Sequence, residues 1–305
     1  MQKIPPEYIM LSGGGVKVIS MIGALKALNE QKLLRKLREI SGVSAGAWLA
    51  VIIASGIEIT RLETIFSELD LSIIRNLNPE SLIYFPEIFG LDDGTMLVKF
   101  LESFLRIVLK LDPSITFSEF HSLESTKIQF RCWAIDLKEL TSCEFSLEKT
   151  PSVRILDALR ASMSIPIYFT PLKHPESGNL LVDGGIQGDL PLHLFTEKQR
   201  LNCIGIGFLE NIERHQPGKN NNPSDLMEFV TAILECSTRK QGNLALDNLS
   251  EKIIKIPGKY VSFWNFEISR DQRIRLIKSG YDAAVEWLSN RGKSSNKKFR
   301  RHSLQ

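Results

Sequence analysis

Apolar and polar positions switch between two periods along the first fifty residues. Tyr8, Ile9, Met10 and Leu11 form a continuous apolar run of strand length, and Ser12-Gly13-Gly14-Gly15 follows it. Successive glycines mark a place where the backbone approaches something closely or takes a positive φ. Beyond them the period becomes helical, with Val18, Met21, Ile22, Leu25 and Leu28 on one face. A second short strand near Glu39 and Ile40 runs into Gly42-Val43-Ser44-Ala45-Gly46, and an apolar helix pattern, Ala47 to Ala54, begins at once. Strand, glycine turn and helix, twice over, predicts an α/β fold with a mainly parallel central sheet flanked by helices.

The stretch from Leu71 to Gly90 is densely apolar and has little periodicity; Ile83, Tyr84, Phe85, Ile88 and Phe89 lie in it. An amphipathic helix follows, capped by Thr95 behind the turn residues Asp92-Asp93-Gly94. Its apolar face is Leu97, Leu101, Phe104, Leu105 and Val108, and such a face usually packs on a sheet rather than forming a channel or lid. Strands are expected at Lys127–Ile135, Ser142–Leu147, Leu180–Val182 and Cys203–Phe208, with a helix from Val153 to Met163. An Asn-rich loop, Lys219–Asn222, is followed by helices to about Ser289, with an irregular segment around Pro257. The pattern gives one α/β domain over residues 1–289, with no internal repeat.

Composition fits that picture. The chain has 305 residues, 43% hydrophobic and 24% charged, enough to bury a core without metal or disulfide staples. Cys132, Cys143, Cys203 and Cys236 form neither a CxxC pair nor a zinc spacing, so they read as free thiols in a reducing, cytoplasmic compartment. The start, MQKIPPEYIM, carries no charged-then-apolar leader pattern, and no apolar run reaches the roughly 18 residues that span a bilayer. The net charge of +3 is unevenly spread. Residues 290–305 carry Arg291, Lys293, Lys297, Lys298, Arg300 and Arg301 and no acid, so without them the chain stands at −3. That segment reads as a disordered, solvated tail, with contact to anionic lipid as the functional alternative.

Three short motifs carry the candidate chemistry. Gly42-Val43-Ser44-Ala45-Gly46 fits the GxSxG elbow, in which a serine stands clear on a tight strand-to-helix turn. The following helix aims its N–H groups and positive dipole end at a developing oxyanion. Gly13-Gly14-Gly15 offers consecutive backbone N–H groups, a nest suited to an anion and hence an oxyanion hole. Lys17 is either an auxiliary positive charge there or a solvated helix lysine. Asp183-Gly184-Gly185 puts a carboxylate at a strand end, freed by glycines to approach another loop. Of the five histidines (121, 174, 193, 215 and 302) none sits in such a strand end, and His193 is the best placed of them. An aspartate serves directly as base where burial lifts its pKa and it bonds the hydroxyl.

Two decoys fail. Gly13-x-Gly15 opens a dinucleotide fingerprint, but Val18 replaces its last glycine and the serine turn goes unexplained. A P-loop at Gly292-Lys293-Ser294 lacks its first glycine, because Trp287 stands there.

Together the glycine loop, GVSAG and DGG resemble the patatin-like phospholipase family, in order and spacing. Thr116-Phe117-Ser118-Glu119-Phe120 resembles its T-F-x-E-L segment. Asp157-Ala158-Leu159-Arg160-Ala161-Ser162, with Pro166 and Pro171, resembles its A-x-R-A-S-x-x-x-P segment. The resemblance covers about residues 7–210. It implies a three-layer α/β/α fold and a Ser44–Asp183 dyad that hydrolyses acyl esters of lipids, phospholipase A or lysophospholipase in type. It also implies Gly13, Gly14 and Gly15 as oxyanion hole, no calcium, no other metal and no organic cofactor. The implied substrate is a phospholipid or other acyl-ester lipid, met by peripheral membrane contact, with no nucleic acid. Two departures stand out: Val18 for the family's glycine, and Asp189 where an asparagine usually precedes the proline, here Pro191. A catalytically silent lipid-binding protein and a Ser-Asp-His esterase are the other readings.

Overall fold

A computed structural model describes residues 5–76, 81, 83–188, 190–208, 249–258, 261 and 265–302, the last twelve of these as backbone. The loop Lys219–Asn222, His215, Cys236 and Asp189 lie outside the described residues. The first half of the chain builds the centre of a sheet. Strand β1 (Tyr8–Leu11) leads through a 3₁₀ turn into α1 (Ile19–Glu30) and returns as β2 (Glu39–Val43), parallel to β1. Helix α2 (Ala45–Ala54) starts directly from β2, and α3 (Ile59–Glu68) follows. All ten residues of α2 are buried, as an all-apolar helix requires. Trp48 packs its ring on Phe66, Phe100 and Phe104, with centroids 5.0, 5.3 and 5.1 Å away.

The irregular apolar stretch becomes a short helix, α4 (Phe85–Ile88), and a short strand, β3 (Gly90–Asp92). Helix α5 (Thr95–Ser103) comes next and runs on into a π-helical turn, Phe104–Val108. Gly94, left-handed at φ +75°, takes the capping position predicted for Thr95. The reason is local: the Asp92 and Asp93 carboxylates accept the N–H groups of Gly94 and Thr95 at 2.8 Å each, so the acids do the capping.

Helix α6 (Phe117–Ser122) opens on a capping box between Thr116 and Glu119. Then come β4 (Gln129–Asp136), β5 (Thr141–Ser146), α7 (Ile155–Ser162), β6 (Ile167–Phe169), β7 (Leu172–Lys173) and β8 (Leu180–Asp183). Helix α8 (Glu197–Leu201) precedes β9 (Cys203–Phe208), and β10 (Ile253–Ile256) and α9 (Arg270–His302) complete the described chain. The parallel order β10–β9–β1–β2–β4 forms the body of the sheet. Strands β5 and β8 join β4 antiparallel, β7 joins β8, and β3 pairs β6 in a separate ribbon.

The pattern predicts one buried face for α1; nearly all of the helix is buried, because α9 packs closely along it. The two helices touch backbone to backbone. A Cβ on Gly280 would stand 1.7 Å from the Ser20 carbonyl oxygen, and one on Gly23 1.8 Å from that of Ile277. Gly280→Ala therefore pushes the helices apart and costs about 1–3 kcal/mol, read as a lowered urea midpoint.

Helix α9 runs to His302, so its last residues fall in the basic segment that the sequence reads as a tail. Lysine, arginine and serine carry modest helix propensities, and extending an existing helix needs no new nucleus. Among the described residues no helix is long and apolar enough to cross a membrane.

Candidate active site

Ser44 is the residue between β2 and α2. Its backbone sits at φ +55°, ψ −132°, a region that side chains other than hydrogen enter only under strain. The flanking glycines let the turn close. A Cβ on Gly46 would lie 2.4 Å from the Ser12 carbonyl oxygen at the end of β1, and one on Gly42 2.3 Å from that of Gly46. Elbow, β1 end and helix start thus share one tight knot of backbone, and the first N–H groups of α2 have no carbonyl of their own helix to bond.

The register of β4 explains how Asp183 reaches this knot from 139 positions away in sequence. Strand β5 occupies one edge of β4 from Arg131 to Asp136. The other edge is shared: β2 runs along it from Gln129 to Trp133, and β8 takes over from Ala134 to Asp136. The two strands therefore meet end to end. Val43 lies opposite Trp133 and Asp183 opposite Ala134, one residue step of about 3.3 Å apart along β4. Gly184 makes the meeting possible, since a Cβ there would stand 2.3 Å from Val43 Cγ1 and 2.5 Å from the Trp133 carbonyl oxygen. Ser44 and Asp183 are 6% and 5% exposed, so both sit in the interior. One Asp183 oxygen, Oδ1, accepts the Gly185 N–H at 2.7 Å, which orients the carboxylate.

The glycine loop lies beside the elbow. Gly14 has φ +151° and Gly15 φ +53°, and Gly15 lines a cavity together with Ser44. Lys17 is buried, with its ammonium 5.9 Å from the centre of the Phe208 ring, and it is not among the residues lining that cavity. Val18, the departure from the family's glycine, has φ −52°, ψ −28°, ordinary right-handed helix. That position demands no glycine here, because the loop enters α1 through the 3₁₀ turn Gly15–Val18.

The described histidines are placed elsewhere. His121 Nε2 accepts the Phe130 N–H, His174 Nδ1 accepts those of Glu176 and Ser177, and His193 is exposed on a 3₁₀ turn. Cys132, Cys143 and Cys203 are free thiols; burial holds all three above the usual range, Cys143 up to about 11.

The cavity at Ser44 has a volume of about 40 Å³. Of its lining, Leu71 and Ile74 come from the irregular apolar stretch and Leu97 from the amphipathic helix after it, whereas Trp48, Met163 and Phe169 come from neither. The latter three lie in a buried helix, a helix exit and a two-stranded ribbon, and nothing in their local pattern marks them as cavity wall.

Arg160 braces this wall. Only 4% exposed, its guanidinium donates to Ser164 Oγ, to the Asp93 carbonyl at 3.2 Å and to the Thr170 carbonyl at 2.9 Å, and it stacks on Phe169. Burial lowers its pKa to about 10 against the pull of Asp92 and Asp93, so it stays a cation at neutral pH. Burial also holds the Asp92 carboxyl above its ordinary value, opposed by the Gly94 and Asn76 amides.

The model of the patatin-like phospholipase family matches residues 9–196. The Bacillus subtilis (strain 168) uncharacterised protein YqhO is 27% identical over 292 residues, 89% of this chain and 94% of YqhO. The probable lipid hydrolase 463L of Invertebrate iridescent virus 6 is 28% identical over 244 residues, 78% of this chain and 74% of 463L. In fold, VipD of Legionella pneumophila superposes with a TM-score of 0.56 at 17% identity, over 94% of this chain and 67% of VipD. ExoU of Pseudomonas aeruginosa, in complex with SpcU, gives a TM-score of 0.53 at 19% identity, over 95% of this chain and 53% of its own. A chain so matched over the segment that holds the glycine loop, the serine elbow and the DGG turn belongs to the patatin-like phospholipase family.

Proposed function

We propose that this protein hydrolyses fatty-acyl esters of lipids, phospholipase A or lysophospholipase in type, with Ser44 as nucleophile and Asp183 as general base. The observation that carries the reading is the end-to-end meeting on one edge of β4 of β2, which leads into the strained Ser44, and β8, which ends at Asp183. Asp183 takes the Ser44 hydroxyl proton as Oγ attacks the ester carbonyl. Backbone N–H groups of Gly14 and Gly15, with Gly13 and the start of α2, hold the oxyanion. As the carbon–oxygen bond of the leaving alcohol breaks, Asp183 returns the proton to that oxygen. Water, deprotonated by Asp183, then attacks the acyl-enzyme; the fatty acid leaves and Ser44 Oγ regains a proton. No calcium or organic cofactor takes part in these steps.

The 463L relative's name, a probable lipid hydrolase, supports a lipid substrate, and so does the apolar cavity wall. At about 40 Å³ the cavity is well short of the roughly 300 Å³ of a small ligand pocket, so an acyl chain enters only as the wall yields. Leu71 and Ile74 face inward, while Ile73, Ile83, Tyr84 and Phe89 on the same stretch are 48%, 73%, 58% and 50% exposed. In this reading these exposed apolar side chains meet the lipid surface in a peripheral contact. The double variant Tyr84→Ser, Phe89→Ser is expected to lose about tenfold in vesicle binding and in turnover on vesicles. Its rate on a soluble short-chain ester should stay that of wild type.

Release of free fatty acid from mixed phospholipid vesicles, with a chelator present, tests the function. Activity in wild type and its loss in Ser44→Ala and Asp183→Ala is the expected result. Equal release by all three proteins overturns the mechanism, and vesicle binding without any release points to a silent lipid-binding protein.

A further inference from the structure

Two backbone groups are left over where β2 and β4 part. Their ladder stays in register up to Val43 opposite Trp133. At Ser44 the chain turns into the elbow, so the Ser44 N–H and the Trp133 carbonyl cannot continue a parallel ladder. Both lie in the interior, where an unpaired backbone group is strongly disfavoured.

Ser162, the last residue of α7, closes the gap. Its Oγ accepts the Ser44 N–H at 2.9 Å and donates its own proton to the Trp133 carbonyl at 2.7 Å. The residue is wholly buried. Its hydroxyl therefore acts as a one-atom spacer in the ladder at the point where the strands separate. Two residues on, the Ser164 carbonyl accepts the Asp183 N–H at 2.8 Å. Met163 and Ile165 in the same turn line the cavity. One short segment thus grips the backbone of both Ser44 and Asp183.

We propose that Ser162 is a positioning residue for Ser44. Resting on the Ser44–Asp183 reading, this adds a part that touches no substrate: the Ser162 hydroxyl locks the strained elbow at a fixed distance from β4, and so from Asp183. It has a second consequence. The Ser44 N–H is committed to Ser162 and is not an oxyanion donor, which leaves that task to the amides of the glycine loop and of Ala45.

The test compares Ser162→Ala with the near-isosteric Ser162→Cys, which keeps the buried volume filled if the alanine variant fails to fold. Folded monodisperse protein is assayed for kcat and KM on a soluble ester, and for the rate at which an alkyl fluorophosphonate labels Ser44. A serine that is out of place loses both rates together. The expected result is a fall on the order of 10- to 100-fold in kcat and in labelling rate, with KM within about twofold of wild type. A purely structural role would lower the urea midpoint and leave both rates per folded molecule unchanged; that result, or a rise in KM alone, overturns the proposal. Ser44→Ala and Asp183→Ala are run beside them. If either keeps wild-type turnover, the Ser44–Asp183 reading itself has failed; if both lose it while the Ser162 variants do not, only the positioning role has.

Discussion

Ser44→Ala lowers kcat for lipid ester hydrolysis by a factor of about 10⁴, with KM little changed. In the proposed mechanism its Oγ forms the acyl-enzyme, and no other described nucleophile faces the cavity at the elbow. Asp183→Asn keeps the shape of the side chain and removes the proposed base, so its loss is expected to approach the same size. The double variant is expected to be hardly worse than either single one, because two groups that act as a unit do not contribute additively. Initial rates of fatty acid release for the four proteins check this; losses that multiply would mean that the two residues act separately. Stability moves the other way. Ser44 holds a backbone conformation that glycine adopts freely, so Ser44→Gly is inactive yet more stable by about 1–2 kcal/mol in urea unfolding. A less stable glycine variant would show that the elbow is not strained.

Arg160→Ala costs about 3–5 kcal/mol of folding stability. The guanidinium satisfies Ser164 Oγ and two carbonyls, those of Asp93 and Thr170, and faces the acids Asp92 and Asp93. Its removal strips three acceptors of a donor and takes away the positive charge that favours the ionised form of buried Asp92. Arg160→Lys restores the charge but not the forked donors, and recovers only part of the loss. The pH dependence follows from Asp92. Burial already holds its folded pKa above the unfolded value, and losing Arg160 raises it further. A carboxyl shifted in that direction contributes stability below its unfolded pKa and loses it as pH rises through the folded one. The deficit of Arg160→Ala against wild type is therefore smaller near pH 4, roughly the ordinary carboxyl value, than at neutral pH. Urea unfolding at the two pH values measures it; a deficit that is constant or larger in acid would mean that Asp92 is not the uncompensated charge.

The local parts of this protein are written in its sequence. A four-residue apolar run before three glycines is β1, observed from Tyr8 to Leu11 as the pattern predicts, and Cys203–Phe208 is β9 with the expected ends. Repeated strand–glycine–helix units yield the parallel sheet, because a helix that runs back along its strand returns the chain to the end where the strand began, and the next strand then runs parallel. The elbow at Ser44 and the turn at Asp183 were legible for the same reason: glycines must flank a backbone that has no room for a Cβ, and glycine spacing is visible in one dimension. At residues 290–302 composition gives no helix signal, and the backbone continues the helix that earlier residues nucleate.

What the sequence by itself determined, then, is which residues are candidates for the chemistry and which local geometry each needs. Their assembly was decided by tertiary structure alone. That β2 and β8 halve one edge of β4 follows from strand register, and register depends on pairings between segments far apart in the chain. The roles of Ser162 and Arg160 were hidden likewise, since a serine and an arginine at the end of a helix look the same whether they face solvent or replace a missing ladder bond. The contact of Gly23 with α9 and the exposure of Tyr84 and Phe89 are also properties of surfaces that meet, or fail to meet, only after folding. A sequence specifies local conformation through short-range sterics, while long-range contacts fix distances between backbone groups that no local pattern encodes.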